Sequence, residues 1–224
     1  MSKINILFRN FFRLTTRNYI FLTSLFVFFV AEFSLSTLFD LESEVQFALI
    51  ILGMFIFSII NTTTFFKNDQ IKNRYIKQKF SSYWLYSFVE LLFLIVLNLF
   101  VALVVYFLSF IVSADFSFML ISVLGLFATG LVGSSIAWIF KFQWNASLVS
   151  KIFGQIGLIV VSFLALVNLD NFLKYIIPPV GQFVNLSLSK SSNAGFMGML
   201  AHQIIFAIVL FLAGIQLNKN NFTK

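Results

Sequence analysis

Long apolar stretches alternate with short polar gaps along the whole chain. A hydrocarbon core about 30 Å thick needs about 20 mostly apolar residues per helix. Six stretches reach that length, at roughly 19–39, 46–66, 84–112, 117–140, 148–167 and 199–217. The third is longer than a perpendicular crossing needs, so that helix should tilt or project from the bilayer. The pattern predicts an all-α polytopic membrane protein, a single transmembrane domain over 1–224 with six spans, and an even number of spans puts both ends on one side.

Two segments follow a different rhythm. In residues 2–18, Ile4, Leu7, Phe8 and Phe11 form one helical stripe while Arg9, Arg13 and Arg17 recur every four residues on another. Such a helix lies in the interface plane, anchored by its arginines, and leads into the first span; the plainer alternative is a basic stretch that only sets orientation. It does not read as a secretory signal, because the arginines recur and no small-residue cleavage site follows, so the N-terminus should be retained. Residues 168–198 are too polar to span and too apolar for a plain loop. Pro178 and Pro179, followed by Gly181, must break a helix there. We expect two short pieces, Phe172–Ile177 and Phe183–Leu188, in a re-entrant segment whose irregular backbone is satisfied by protein or water.

Charge sets the direction of crossing. Thirteen of the 15 Lys and Arg residues fall in four groups: Lys3 to Arg17, Lys67 to Lys79, Lys141 with Lys151, and Lys219 with Lys224. Those gaps contain a single acid, Asp69, whereas the alternate gaps hold Asp40, Glu42, Glu44, Asp115 and Asp170 against Lys174 and Lys190. By the positive-inside rule the four basic groups, and with them both termini, are cytoplasmic. Trp84, Trp138, Trp144 and Tyr19, Tyr75, Tyr83 and Tyr86 cluster near the same boundary, where amphipathic rings favour the headgroup layer.

Composition narrows the class further. With 60% hydrophobic residues, 33 Phe and 10% charged residues, the chain lacks the polar surface of a soluble globule. A pI near 9.7 would suggest nucleic acid in a soluble domain, but here the positive charge is confined to membrane-flanking gaps that meet anionic lipid or a cytosolic partner. The absence of Cys excludes disulfides and thiolate chemistry, and a lone His lacks the companions of a metal site. A Phe-, Ile-, Asn- and Lys-rich composition fits an AT-rich bacterial genome.

Within the spans, polar residues stand out. Glu90 and Lys151 lie near the cytoplasmic ends of the third and fifth spans, where they can snorkel, form a structural ion pair or make a gating contact. Glu32 lies in the outer half of the first span and His202 near the outer start of the sixth; a shared outer cavity binding a cationic group is one reading, local hydrogen bonding of the His the other. Gly125, Gly130, Gly133, Ala128 and Ser134 give the fourth span a small-residue surface suited to close helix packing. Residues 67–83 form the longest cytoplasmic connection, in which Ile71, Tyr75 and Ile76 can share one face of a short amphipathic helix.

This layout of interfacial helix, six spans, basic cytosolic connection after the second span and Pro–Pro break before the last resembles the membrane subunits of type-2 ABC exporters. The best local matches are Lys67–Tyr83 and Ile176–Val180. The resemblance implies a coupling helix at Ile71–Gln78, with Ile71, Arg74, Tyr75, Lys77 and Gln78 against an ATPase subunit. Many relatives carry an acidic residue and a Gly where this chain reads Gln70-Ile71-Lys72-Asn73-Arg74. The resemblance further implies two cytosolic ATPase copies, a second permease copy or paralogue, and export of an amphipathic or antimicrobial peptide in self-protection or secretion. A drug-like lipophile or a glycan is the alternative substrate. The chain has no GxxxxGK[ST] loop, so ATP and Mg belong to the partner, and the chain itself is expected to bind no cofactor and to catalyse nothing. A secondary transporter or channel, or an intramembrane enzyme, is the competing class; the first usually shows breaks at the midplane, and the second needs facing carboxylates or histidines.

Overall fold

The computed structural model describes residues 3–38, 41–73, 76–77, 82–112, 119–140, 148–164, 177–189 and 193–219. Among these residues there are eight helices and no strand: α1 (Lys3–Thr16), α2 (Tyr19–Leu38), α3 (Ser43–Lys72), α4 (Tyr83–Val112), α5 (Met119–Ile139), α6 (Leu148–Leu164), α7 (Val180–Leu188) and α8 (Asn193–Asn218). Four of them contain stretches long and apolar enough to cross a membrane, over Ser43–Asp69, Tyr83–Ser109, Ile121–Ile139 and Gly195–Leu217. The bent pair α1–α2, broken by 63°, makes a fifth if counted together. In α6 the apolar part is Phe153–Phe163, which at about 1.5 Å per residue is too short to cross alone. The chain is therefore a helical, multi-pass membrane protein with four to five candidate spanning helices.

The bundle is organised around α5. Its spanning window is 78% buried, against 28% for α8, because α5 packs on α3, α4 and α8 at once. The small residues make this possible. A Cβ on Gly133 would stand 2.7 Å from the Phe55 carbonyl oxygen, and one on Gly125 would stand 2.6 Å from the Phe183 ring. Backbone approach of this kind is how helices associate where lipid supplies no hydrophobic drive. The expected small-residue surface is thus a packing face. The exposed apolar rows, such as Ile205, Ile208, Val209 and Leu212 on α8, suit lipid contact.

The amphipathic helix α1 forms where its stripe predicts, but the middle of the stripe faces protein while Ile4 is exposed. Leu7 and Phe11 are fully buried, with Phe11 edge-on to Phe65 and Tyr86 at ring centroid distances of 5.3 and 5.5 Å. Arg9, Arg13 and Arg17 remain exposed on the other side. The break after α1 has a local cause: the Asn18 side-chain oxygen accepts from the Ile20 amide at 3.0 Å, opening α2 in a new direction.

At the opposite end, α7 follows the two prolines. Pro179 supplies its N-cap, and the Phe183 amide donates to the Pro179 carbonyl at 3.2 Å. Pro178, Pro179 and Gly181 are buried, and Phe183 is wedged between Phe47 of α3 and Phe196 of α8. The helical piece begins three residues earlier than the Phe183–Leu188 expectation; Phe172–Ile176 lie outside the described residues.

Candidate functional site

Among the described residues, members of three basic groups, on α1, at Lys77 and at Lys219, lie at one end of the bundle. The Tyr83 hydroxyl at the start of α4 donates to the Ile215 carbonyl near the end of α8 at 2.5 Å, and Lys219 lies 6.0 Å from the Trp84 ring centroid. Trp138, near the end of α5, packs edge-on to Phe66 of α3 and Phe211 of α8, both at 5.4 Å. That tryptophan was expected in a headgroup belt. It is instead 1% exposed, because three helix ends converge on it. Trp84 is exposed, and Trp144 lies outside the described residues.

Inside this end is a buried polar junction built on one helical repeat. Asp69, Asn73 and Lys77 are spaced by four, so a continuing helical path stacks them on one side. Two backbone hydrogen bonds follow the same interval: the Asn73 amide donates to the Asp69 carbonyl at 3.0 Å and the Lys77 amide to the Asn73 carbonyl at 2.9 Å. Asp69, 0% exposed, accepts from the Asn73 side-chain amide at 2.8 Å and from the Tyr86 hydroxyl at 2.5 Å through Oδ1, while Oδ2 is 2.5 Å from the Lys77 ammonium. The ammonium also lies 5.3 Å from the Tyr86 ring centroid. The Asn10 side-chain amide on α1 donates to Asn73 Oδ1 at 2.6 Å. One buried cluster therefore joins α1, the end of α3, the residues after it and the start of α4.

Its walls are aromatic. Phe11, Phe65 and Phe93 close over Tyr86, with Phe65 and Phe93 at 5.1 Å. Glu90 sits one turn beyond Tyr86 on the same face of α4 and is fully buried. In this dry setting charges interact strongly and removal of one partner is costly. The junction ties α1, Asn73 and Lys77 to Asp69 and to Tyr86 of α4.

The resemblance implied that Lys77 meets an ATPase subunit; in the single chain it is 8% exposed, with its ammonium held by Asp69, eight residues earlier. Ile71 falls in the last turn of α3, with its side chain outside the described residues, as are Arg74, Tyr75 and Gln78. The helix that holds Ile71 is a continuation of the second apolar stretch, past the residue-66 end that hydropathy suggested, since Asp69 and Asn73 find partners inside the protein.

A second polar group lies at mid-bundle, where α3, α4 and α5 meet. The Ser58 hydroxyl donates to Asn98 Oδ1 at 2.9 Å, Asn98 Nδ2 donates to Ser134 at 2.8 Å and to the Leu94 carbonyl at 2.9 Å, and Thr62 donates to Ser134 at 2.9 Å. Every member is neutral. Asn98 was not singled out by the sequence, although a lone Asn in a 30-residue apolar helix is a usable signal.

Of the remaining expected positions, Glu32 is buried on α2 and accepts a hydrogen bond from Ser109 of α4. His202 is half-buried on α8, whose main neighbours are α5 and α7, whereas α2 packs on α3 and α4. Among the described residues, different packing seams hold these two side chains. Lys151 lies in α6 with its side chain outside the described residues, so its pairing with Glu90 does not enter the geometry. Among the described residues no three His, Asp or Glu side chains gather as metal ligands.

Comparison with protein-family models, with curated proteins and with solved structures finds no match for this chain.

Proposed function

We propose that this chain is the membrane subunit of a type-2 ABC exporter, crossing the cytoplasmic membrane of a bacterium six times with both termini inside. In this reading α2, α3, α4, α5, α6 and α8 are the spans. A cytosolic ATPase pair binds ATP and Mg, and its closure moves two copies of this subunit, or this subunit and a paralogue, against each other. The cargo is a hydrophobic or amphipathic molecule, with an antimicrobial or other amphipathic peptide favoured. The chain is not itself an enzyme.

The observation that carries the proposal is the buried junction at the basic end. A transporter driven from the cytosol needs a rigid link between the loop its motor touches and the spans that move. Asp69, Lys77, Asn73, Tyr86 and Asn10 supply such a link from the Lys67–Tyr83 connection to α1, α3 and α4. The bend from amphipathic α1 into α2 and the short helix α7 behind Pro178–Pro179 add to the likeness. The test is affinity purification from native membranes in mild detergent. A stoichiometric ATP-hydrolysing subunit is the expected result; a chain that purifies alone and moves solute in vesicles without ATP contradicts the proposal.

A further inference from the structure

With Leu7, Phe11 and Leu14 packed on protein, α1 turns a different face outward. That face carries Arg9, Arg13 and Arg17 and, among them, Phe12, which lies outside the predicted stripe and is more than half exposed. Arg9, Phe12, Arg13 and Thr16 follow one another at intervals of three and one, so they share one side of the helix. Arg9 and Arg13 stand about 6 Å apart along the axis. Among the described residues none of the three guanidiniums has an ionic partner, and Asp69, the one acid in the basic gaps, is held by Lys77.

Two further observations say what covers this face. The outward row of α2 begins where α1 ends: Tyr19, Leu22, Phe26 and Phe33 share one side of that helix and are each more than half exposed, a surface that suits lipid. In addition, α1 is inclined 63° to α2. With α2 crossing the bilayer, as in the reading above, α1 lies nearer the membrane plane than the membrane normal, and its outer face meets the headgroup layer. There an exposed Phe favours acyl chains, while unpaired guanidiniums favour phosphate, which a guanidinium grips with two parallel N–H bonds. A zwitterionic headgroup offsets its phosphate with its own ammonium; an anionic one does not. An acidic soluble partner would account for the arginines, but not for a face that runs on into the lipid-facing row of α2.

We infer that the outer face of α1 binds an anionic phospholipid of the adjoining leaflet, with the headgroup phosphate between Arg9 and Arg13 and the upper acyl carbons against Phe12. The placement rests on α2 crossing the membrane; it does not rest on the exporter assignment. On its other sides the same helix holds Asn73 through Asn10 and packs Phe11 on Tyr86. The bound lipid thus braces the helix that is packed on the buried junction.

The experiment uses the full chain in phosphatidylcholine nanodiscs that contain a trace of spin-labelled phosphatidylglycerol or of spin-labelled phosphatidylcholine. Electron paramagnetic resonance reads the share of each lipid held at the protein. Wild type should prefer the anionic lipid by about fivefold or more, and the preference should fall as salt is raised. Arg9→Gln with Arg13→Gln should remove most of the preference while leaving the held share of phosphatidylcholine unchanged, which also reports that the fold is intact. Lys174→Gln with Lys190→Gln removes the same charge from the alternate gaps and should leave the preference as in wild type. Three outcomes overturn the inference: a wild type indifferent to lipid charge, a preference that survives loss of both arginines, or an equal loss in the Lys174 and Lys190 variant, which would make the effect one of net charge alone. No ATPase is present in the nanodisc, so a failed exporter assignment and a failed lipid site give separate results.

Discussion

Two buried polar groups hold this bundle together, and they differ in charge. The junction at the basic end contains a carboxylate and an ammonium, Asp69 and Lys77, crossed by Tyr86, Asn73 and Asn10. The mid-bundle group of Ser58, Thr62, Asn98 and Ser134 uses hydroxyls and one amide only. Depth explains the difference. Near the end of a span an ion pair forms where water and headgroups are close, whereas at the midplane a charge costs several kcal/mol and neutral interhelical hydrogen bonds are what the medium tolerates. The two also join different things: the first ties a connection and an amphipathic helix to the bundle, the second ties three spanning helices to one another.

The comparison breaks most sharply at Lys77. Lys77→Ala leaves Asp69 buried without its ammonium and should destabilise the chain by about 3–5 kcal/mol, whereas Asp69→Asn with Lys77→Met should recover most of that loss. Thermal unfolding in detergent of Lys77→Ala, Asp69→Asn, Lys77→Met and the double variant checks it, and additive effects of the two single changes in the double would mean that the pair does not act as one unit. Asn98→Asp asks the reverse question by putting a charge into the neutral group. A cost of about 2.5–3.5 kcal/mol is expected, read from the yield of folded protein after membrane insertion.

Smaller effects separate packing from hydrogen bonding at the same depth. Gly133→Val forces a side chain against the Phe55 carbonyl and should cost about 1–3 kcal/mol, while Gly157→Ala, which meets nothing within 4 Å, should be near neutral. Calorimetry of the pair tests this contrast. Arg13→Ala, on the exposed side of α1, should change stability by less than about 0.5 kcal/mol. A loss as large as that of Lys77→Ala would place Arg13 inside the junction.

Much of this architecture is legible in the sequence, because apolar length and helical period act locally. The ends of α2 and α4, the packing face of α5 and the break at Pro178–Pro179 follow from such patterns. Partnerships between distant residues do not. Nothing local says that Ser109 would meet Glu32, or that the stripe of α1 would close over Tyr86 instead of lying on lipid. For Lys77 a signal did exist: Asp69 is the lone acid among the basic groups, and Asn73 and Lys77 follow it at intervals of four. Read as neighbours in a continuation of α3 they predict an inward ion pair; read as part of a separate exposed amphipathic helix they suggest a surface that docks on a partner or is solvated. Hydropathy ended the helix too early to choose between the two, since polar residues with partners inside the protein prolong a helix past its apolar stretch.

The central claim is that the basic end, through the connection after α3, meets an ATP-driven partner. Because the chain has no native Cys, one photoactivatable crosslinker can be placed at Lys72→Cys, at the end of α3, and another at Ser189→Cys, just beyond α7 at the opposite end. Irradiation of native membranes followed by mass spectrometry should give an adduct with an ATP-hydrolysing subunit from the first position and none from the second. An ATPase adduct from Ser189→Cys, or only lipid and self adducts from Lys72→Cys, would contradict the account.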